Sequence, residues 1–116
     1  MEIQKVKDIV FLRLTGEDLS NPQATSEIVE ELLTTDGERK FVADLSAVEQ
    51  ITSLQVGAVV TLHLLCYENL AILKLAGVHE RVKTVMRLVG LDKIMEMHHG
   101  AEVAKFSFGE SSDKNG

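Results

Sequence analysis

The chain lacks several residue types that would point to particular protein classes. It has no tryptophan, one proline and a single cysteine, Cys66, among 116 residues. A lone cysteine cannot form an intramolecular disulfide or supply a cysteine-based zinc site, so we expect a reducing compartment and a cytoplasmic protein. No apolar run approaches the roughly 20 residues of a membrane-spanning helix. The N-terminus lacks the apolar stretch of a signal peptide, so we expect neither a membrane anchor nor a cleaved leader.

Positive charge is also scarce. Twelve Lys and Arg residues stand against 18 Asp and Glu residues, which gives a formal net charge of -6. The basic residues are scattered, whereas a phosphate backbone or an anionic membrane rewards clustered ones. We therefore expect no nucleic-acid partner and favour a protein partner or a small molecule.

What is present is the composition of one globular domain, with 45% hydrophobic residues. Short β-branched runs alternate with segments of helical period. Helices between strands imply right-handed crossovers and an α/β fold, a single domain over residues 1–108 with a mixed, mostly parallel sheet flanked by about four helices. A flexible tail is predicted over 109–116. Strands are predicted at 2–6, 9–14, 40–45, 71–75 and near 94–97, and helices after Asn21-Pro22 and at 53–68, 79–89 and 101–106.

The helix predicted at 53–68 has an unusual distribution of apolar residues. At 100° per residue, one side can face the sheet and carries Leu54, Ala58, Val59, Leu62, Leu65 and Cys66. The other side carries Ser53, Gly57, Thr61 and Glu68, with Val56, Val60 and Leu64 between them. This outer side is either an apolar patch for a partner or is covered by a neighbouring helix.

Two adjacent hydroxyls, Thr52 and Ser53, stand where the loop passes into this helix. A Ser or Thr before an apolar periodic run is most often an N-cap, and we expect Ser53 to be the helix-opening residue. A phosphoryl group there would also suit the helix N-terminus, and its charge would disrupt an apolar interface beside it. Capping and a phosphorylation switch both stay open from these residues.

The stretch "FVADLSAVEQITSLQVGAVVTLHLL" resembles the central segment of STAS domains, the anti-sigma factor antagonist family. The matching positions are Asp44-Leu45-Ser46, Ile51, Ser53 and Gly57. The later stretch "LAGVHERVKTVMRLVGLDKIMEM" is similar to the family's strand, amphipathic helix and Gly-Leu-Asp-Lys-Ile segment. Thr52 stands where the family usually has Asp, and Leu54-Gln55 replaces a usually small or glycine-rich pair.

The resemblance implies a small regulatory module that binds a kinase-type anti-sigma factor. It also implies that phosphorylation of Ser53, or alternatively Thr52, switches the binding off. The alternative is a constitutive scaffold or accessory subunit of a larger signalling or transport assembly, in which Ser53 is only a cap. A homodimer is compatible with both. The expected partner-binding residues are Asp44, Ser53, Val56, Gly57, Val60, Thr61 and Leu64.

Catalytic and metal chemistry find little support. The chain has no phosphate-binding loop, and Ser53 has no Gly-x-Ser-x-Gly elbow around it. His63 and Cys66 lie three residues apart, but two ligands do not make a metal site. The pair His98-His99 before Gly100 is predicted to form a turn. We expect Asp44 to close the loop before the helix, and we expect no enzyme activity, cofactor or metal.

Overall fold

A computed structural model of the chain describes residues 1–100 and Phe108. The helix predicted at 101–106 and the tail predicted at 109–116 lie outside the described residues, and the domain boundary at 108 stays a prediction.

Five strands form one mixed sheet whose spatial order is the order of the chain. The first two strands pair antiparallel around Lys7, which has a positive φ of 57° in the tight turn between them. All other neighbouring strands are parallel, so the mixed and mostly parallel sheet predicted from the sequence is confirmed. The strands are β1 (Glu2–Val6), β2 (Ile9–Arg13), β3 (Lys40–Asp44), β4 (Ile72–Ala76) and β5 (Met97–His98).

Four α-helices are described: α1 (Gly16–Ser20), α2 (Pro22–Thr34), α3 (Ser53–Glu68) and α4 (Glu80–Leu88). A short 3-10 turn, Leu91–Lys93, follows Gly90, whose φ of 79° lies in the left-handed region common just after a helix end. Helices α2, α3 and α4 each connect two neighbouring parallel strands, so they lie side by side in that order across the sheet. No helix within the described ranges is long and apolar enough to cross a membrane.

The main core lies between the sheet and the helices, all of which pack on one face. Strand residues that alternate along β2, β3 and β4 point into it, as the two-residue period of a strand requires. A smaller cluster of Ile9, Val42 and Ala76 occupies the opposite face, and Phe108 packs against it. The largest fully buried side chains of the main core are Val10, Leu12, Leu14, Leu19, Val29, Leu33, Phe41, Leu45, Leu62, Leu75 and Met86.

The structure differs from the predicted secondary structure in several places. Strands β2 and β3 each end one residue earlier than predicted, and α4 is Glu80–Leu88 rather than 79–89. Helix α1 was not predicted, because its five residues are too few to show a helical period. Strand β4 begins and ends one residue later than predicted. The last strand is Met97–His98 rather than 94–97, and His98 pairs with Ala76 instead of forming a turn. Ile94 suggested an earlier start for this strand. It is exposed and directly follows the 3-10 turn, so it does not belong to the strand.

Candidate functional site

Asp44 closes the first turn of the loop that leads from β3 to α3. Its Oδ1 accepts a hydrogen bond of 2.9 Å from the backbone N–H of Ser46, which is the local role predicted for this carboxylate. The backbone N–H of Leu45 donates to the carbonyl of Ala76 at 2.9 Å, so the loop begins by extending the pairing with β4. The start of the loop is therefore held by both backbone and side-chain bonds.

The loop after β4 packs closely against the same turn. The His79 Nε2 lies 2.8 Å from the carbonyl oxygen of Ser46, and because a carbonyl only accepts, this nitrogen donates. Gly77 has a φ of 65°, and a Cβ there would lie 2.9 Å from Asp44 Oδ1. Glycine is thus required for both its conformation and its size. Sequence reasoning did not identify Gly77 or His79 as parts of this site.

Thr52, and not Ser53, is the N-cap of α3. The Thr52 Oγ1 accepts a hydrogen bond from the backbone N–H of Gln55 at 3.2 Å, and Gln55 Oε1 accepts one from the backbone N–H of Thr52 at 2.9 Å. This is a capping box. The prediction that Ser53 caps the helix is wrong, because Thr52 is the last extended residue and Ser53 is already the first helical one. Threonine here fills the capping role that Asp can also fill.

Gln55 also connects α3 to α1. Its side chain is 9% exposed, and its Nε2 donates 3.0 Å hydrogen bonds to the carbonyl of Gly16 and to Ser20 Oγ. Every polar atom of this buried amide therefore has a partner. The role of Gln55 was missed, although the Thr-x-x-Gln spacing of a capping box was visible in the sequence.

Ser53 stands exposed at the N-terminal end of α3. Its hydroxyl forms no hydrogen bond to any other described residue. The first backbone bond of the helix runs from the N–H of Val56 to the carbonyl of Thr52, at 2.9 Å. The N–H groups of Ser53 and Leu54 precede that bond and are open to an anion or to water.

The outer side of α3 is open, which excludes a helix that is buried all round. Gly57, Thr61 and Leu64 are exposed, with Leu64 at 50%. The Thr61 hydroxyl donates to the carbonyl of Gly57 at 2.9 Å. Val56 and Val60 are half-buried, and Val60 also packs against the main core.

The inward side of α3 differs from the prediction at one residue. Leu54 is 58% exposed rather than directed at the sheet, because Gln55 occupies the inner position of that first turn and binds α1. The buried side chains of α3 are Gln55, Ala58, Val59, Leu62 and Cys66.

Cys66 is a structural residue of the core. It is 1% exposed, and burial raises the pKa of its thiol to about 12, so it is neither a nucleophile nor a ready metal ligand. His63, one turn earlier, is half-buried. Over residues 1–100 and Phe108, no three His, Cys, Asp or Glu side chains come together as a metal site.

Comparison with known families identifies the fold that carries this site. The model of the STAS domain matches residues 1–104, which is most of the chain. The chain belongs to the STAS domain family. No curated protein sequence matches it significantly.

Solved structures of several other proteins share this STAS fold at low sequence identity. A Thermotoga maritima protein assigned as an anti-sigma factor antagonist is 22% identical, with a TM-score of 0.76, 91% of this chain covered and 92% of that one. A structure of the stressosome, a signal integration and transduction hub, matches at 19% identity and a TM-score of 0.83, with 96% and 98% covered. A sulfate transporter family protein from Wolinella succinogenes matches at 16% sequence identity and a TM-score of 0.70. The match covers 88% of this chain and 90% of that one.

Proposed function

We propose that this STAS domain is a cytoplasmic, non-enzymatic regulatory module that binds a kinase-type anti-sigma factor. The outer side of α3 and the adjacent turn at Asp44 form the binding surface, and phosphorylation of Ser53 switches the binding off. The similarity to the Thermotoga maritima protein assigned as an anti-sigma factor antagonist supports this class of partner.

The exposed hydroxyl of Ser53 is the observation that carries the proposal. It lies at the first helical residue beside Gly57, whose missing side chain leaves open space on the outer side of α3. A partner backbone can approach closely over this glycine and then contacts Ser53. Thr52 is a less suitable residue for phosphorylation, because its hydroxyl already accepts a hydrogen bond within the capping box.

Phosphorylation at Ser53 is compatible with the fold but disfavours the binding of a partner to the outer side of α3. The open N–H groups of Ser53 and Leu54 and the positive end of the helix dipole stabilise a phosphate. The added charge of about -1.5 to -2 at pH 7 would have to be desolvated against Val56, Val60 and Leu64 when a partner binds. The same group therefore leaves α3 folded and weakens the complex.

Incubation with ATP-dependent serine kinases encoded in the same genome, followed by intact-mass measurement, tests the modification. We expect a mass increase of one phosphoryl group on the wild type and on Thr52→Asn, since Asn preserves an N-cap without a hydroxyl. We expect none on Ser53→Ala. Phosphorylation that persists in Ser53→Ala would place the acceptor elsewhere.

Titration calorimetry with the anti-sigma factor tests the switch. Ser53→Asp should keep the fold, because Asp suits the first turn of a helix, but it should weaken binding. Ser53→Ala should bind like the wild type and should not respond to the kinase. Equal affinity for all three proteins would contradict the switch.

The alternative function is a constitutive STAS scaffold or an accessory subunit of a larger signalling or transport assembly. The likeness to the stressosome structure and to the sulfate transporter family protein supports it. In that case no kinase modifies the wild type, and Ser53→Asp has no effect on assembly. The two experiments above therefore separate the two functions.

A further inference from the structure

Strand β1 leaves one complete edge of the sheet open. The backbone N–H of Leu14 donates to the carbonyl of Asp44 on β3, so the odd-numbered residues of β2 bond toward β1. Their partners on β1 are its even-numbered residues. The backbone N–H and C=O groups of Ile3 and Lys5 therefore face away from β2, and within the described part of the chain they form no hydrogen bond.

This edge has few of the features that protect a sheet edge against a further strand. β1 pairs with β2 over all five of its residues without a bulge, and it contains no proline. Charged side chains also protect an edge, but Glu2 and Lys5 are already paired with Arg13 and Glu38. An open edge of this length can accept an added strand.

A groove with an apolar floor lies beside the edge. The side chain of Ile3 is on the helix face of the sheet, because its partner Leu12 belongs to the main core. Ile3 from β1, together with Ala24 and Ile28 from α2, lines a groove of about 290 Å³. Ile3 is 46% exposed and Ile28 is 42% exposed. This floor can cover the aliphatic part of a long side chain on an added strand.

The walls of the groove are acidic. Residues 16–36, which span α1 and α2, contain six acidic side chains and no basic one. Glu17 lines the groove, and Glu31 lies one turn from Ile28 on the same side of α2. Both carboxylates are exposed, and neither forms an ion pair with another described residue. A cationic side chain in the groove is therefore attracted to both.

We propose that the outer edge of β1 binds an extended segment of a partner protein in which basic residues alternate with small polar ones. The segment adds a strand to the sheet, with its main chain bonded to Ile3 and Lys5. Its basic side chains lie on the helix face, with their aliphatic stems against Ile28 and their cationic ends at Glu17 and Glu31. This surface is separate from the outer side of α3 and goes beyond the proposed function.

Charge favours a different chain over a second copy of this one. Two copies that paired antiparallel through β1 would be related by a two-fold axis perpendicular to the sheet. Such an axis leaves both helix layers on the same side and brings α2 of one copy beside α2 of the other. The two acidic walls would then repel each other.

Two blocked hexapeptides test the charge of the added segment. One alternates lysine with threonine, and the other alternates glutamate with threonine. In a titration of the isotope-labelled purified chain, the lysine peptide should shift the amide resonances of Ile3 and Lys5 in a saturable way, and the glutamate peptide should not. Equal effects of the two peptides, or no shift of these two resonances, would overturn the proposal.

N-methylation of the lysine peptide tests the strand geometry. Alternate N–H groups of an extended chain point to opposite edges, so only every second one can bond to β1. Methylation of the set that faces β1 should abolish binding, whereas the peptide methylated on the other set should bind like the unmodified one. Identical behaviour of the two methylated peptides would exclude strand addition.

Replacement of two carboxylates tests the acidic walls. Glu17→Gln with Glu31→Gln should raise the dissociation constant of the lysine peptide at least about fivefold, since two exposed ion pairs are lost. The matched control is Glu49→Gln with Glu68→Gln, which changes the net charge equally at exposed positions outside β1, α1 and α2. The control should bind like the wild type. An equal loss in both variants would contradict a specific role of the groove.

A second copy at this edge would be detected in the same spectra. Amide resonances of Ile3 and Lys5 that shift with protein concentration in the absence of peptide would overturn the proposal in favour of self-association. All of these measurements use the purified chain and synthetic peptides, so their failure leaves the proposed function at α3 untouched. Conversely, the peptide titrations decide this proposal even if no serine kinase modifies Ser53.

Discussion

At the scale of single residues, Thr52 and Ser53 separate two roles that the sequence places side by side. Thr52 is bonded into the helix start through its hydroxyl, whereas Ser53 presents its hydroxyl to solvent. A structural hydroxyl and an available one therefore occupy consecutive positions, and substitution distinguishes them.

We predict that Thr52→Ala destabilises the protein by about 1 kcal/mol, the usual cost of losing an N-cap side chain. Ser53→Ala should change the free energy of unfolding by less than about 0.5 kcal/mol, as expected for a surface site without bonded neighbours. Urea unfolding followed by circular dichroism measures both. A larger loss for Ser53→Ala than for Thr52→Ala would mean that Ser53 is the cap.

The sequence predicts that a hydroxyl opens α3, and the Thr-x-x-Gln spacing of a capping box could have selected Thr52 over Ser53. Both residues fit the simpler N-cap pattern, but only Thr52 has a glutamine three residues later, and Gln55 completes the box. Leu54 was assigned inward for a related reason. The helical wheel cannot show that the first turn of α3 gives its inner position to Gln55.

At the scale of elements, Gln55 couples the start of α3 to α1. The Gln55 side-chain amide accepts a hydrogen bond from the backbone N–H of Thr52, which caps α3, and donates one to the carbonyl of Gly16 in α1. The short helix α1 contacts α2 and α3, and it buries only Leu19. Its position is held by this polar connection together with the 2.7 Å hydrogen bond that Thr25 Oγ1 donates to the carbonyl of Asp18.

We predict that Gln55→Glu destabilises the protein by about 1 to 3 kcal/mol at pH 7. The carboxylate can still accept from the N–H of Thr52, but it cannot donate to the carbonyl of Gly16, which then faces a negative charge. Gln55→Met, of similar length, loses both roles and serves as the comparison. Denaturant midpoints of the wild type, Gln55→Glu and Gln55→Met rank their stabilities. An unchanged midpoint for Gln55→Glu would show that the link to α1 is unimportant for stability.

Most elements could be predicted, because α2, α3 and α4 show a helical period or clear end signals and the strands are short β-branched runs. The missing element, α1, has no period to detect, but its capping box was present as Thr15 and Asp18. Strand β5 was misplaced because its two residues are defined by pairing with β4 rather than by any local pattern.

At the scale of the whole molecule, one ionic cluster joins β4 to the segment that precedes β5. Lys74 is 5% exposed, and its Nζ lies 3.2 Å from Glu96 Oε1, which also lies 3.1 Å from His98 Nε2. Partial burial raises the pKa of the Glu96 carboxyl, but its bonds to Lys74 and His98 outweigh this and lower it overall. Protonation of Glu96 therefore opposes folding.

We predict that the stabilisation from Glu96 is present above its unfolded-state pKa and is lost as the pH falls through its lowered folded-state pKa. Glu96→Gln should remove this part of the acid sensitivity, so its denaturant midpoint should vary less than that of the wild type over the acid range. Urea titrations at several pH values measure the difference. Parallel curves for the two proteins would show that Glu96 contributes nothing to the pH dependence.

The order of the strands has a consequence for synthesis on the ribosome. Because β1 to β5 occupy the sheet in the order in which they leave the exit tunnel, every new strand adds to the edge formed by the one before it. No strand has to enter between two that are already paired. Assembly can therefore proceed vectorially from the N-terminal hairpin, with each crossover helix packing on the face of the newest strand while the next strand is still being translated.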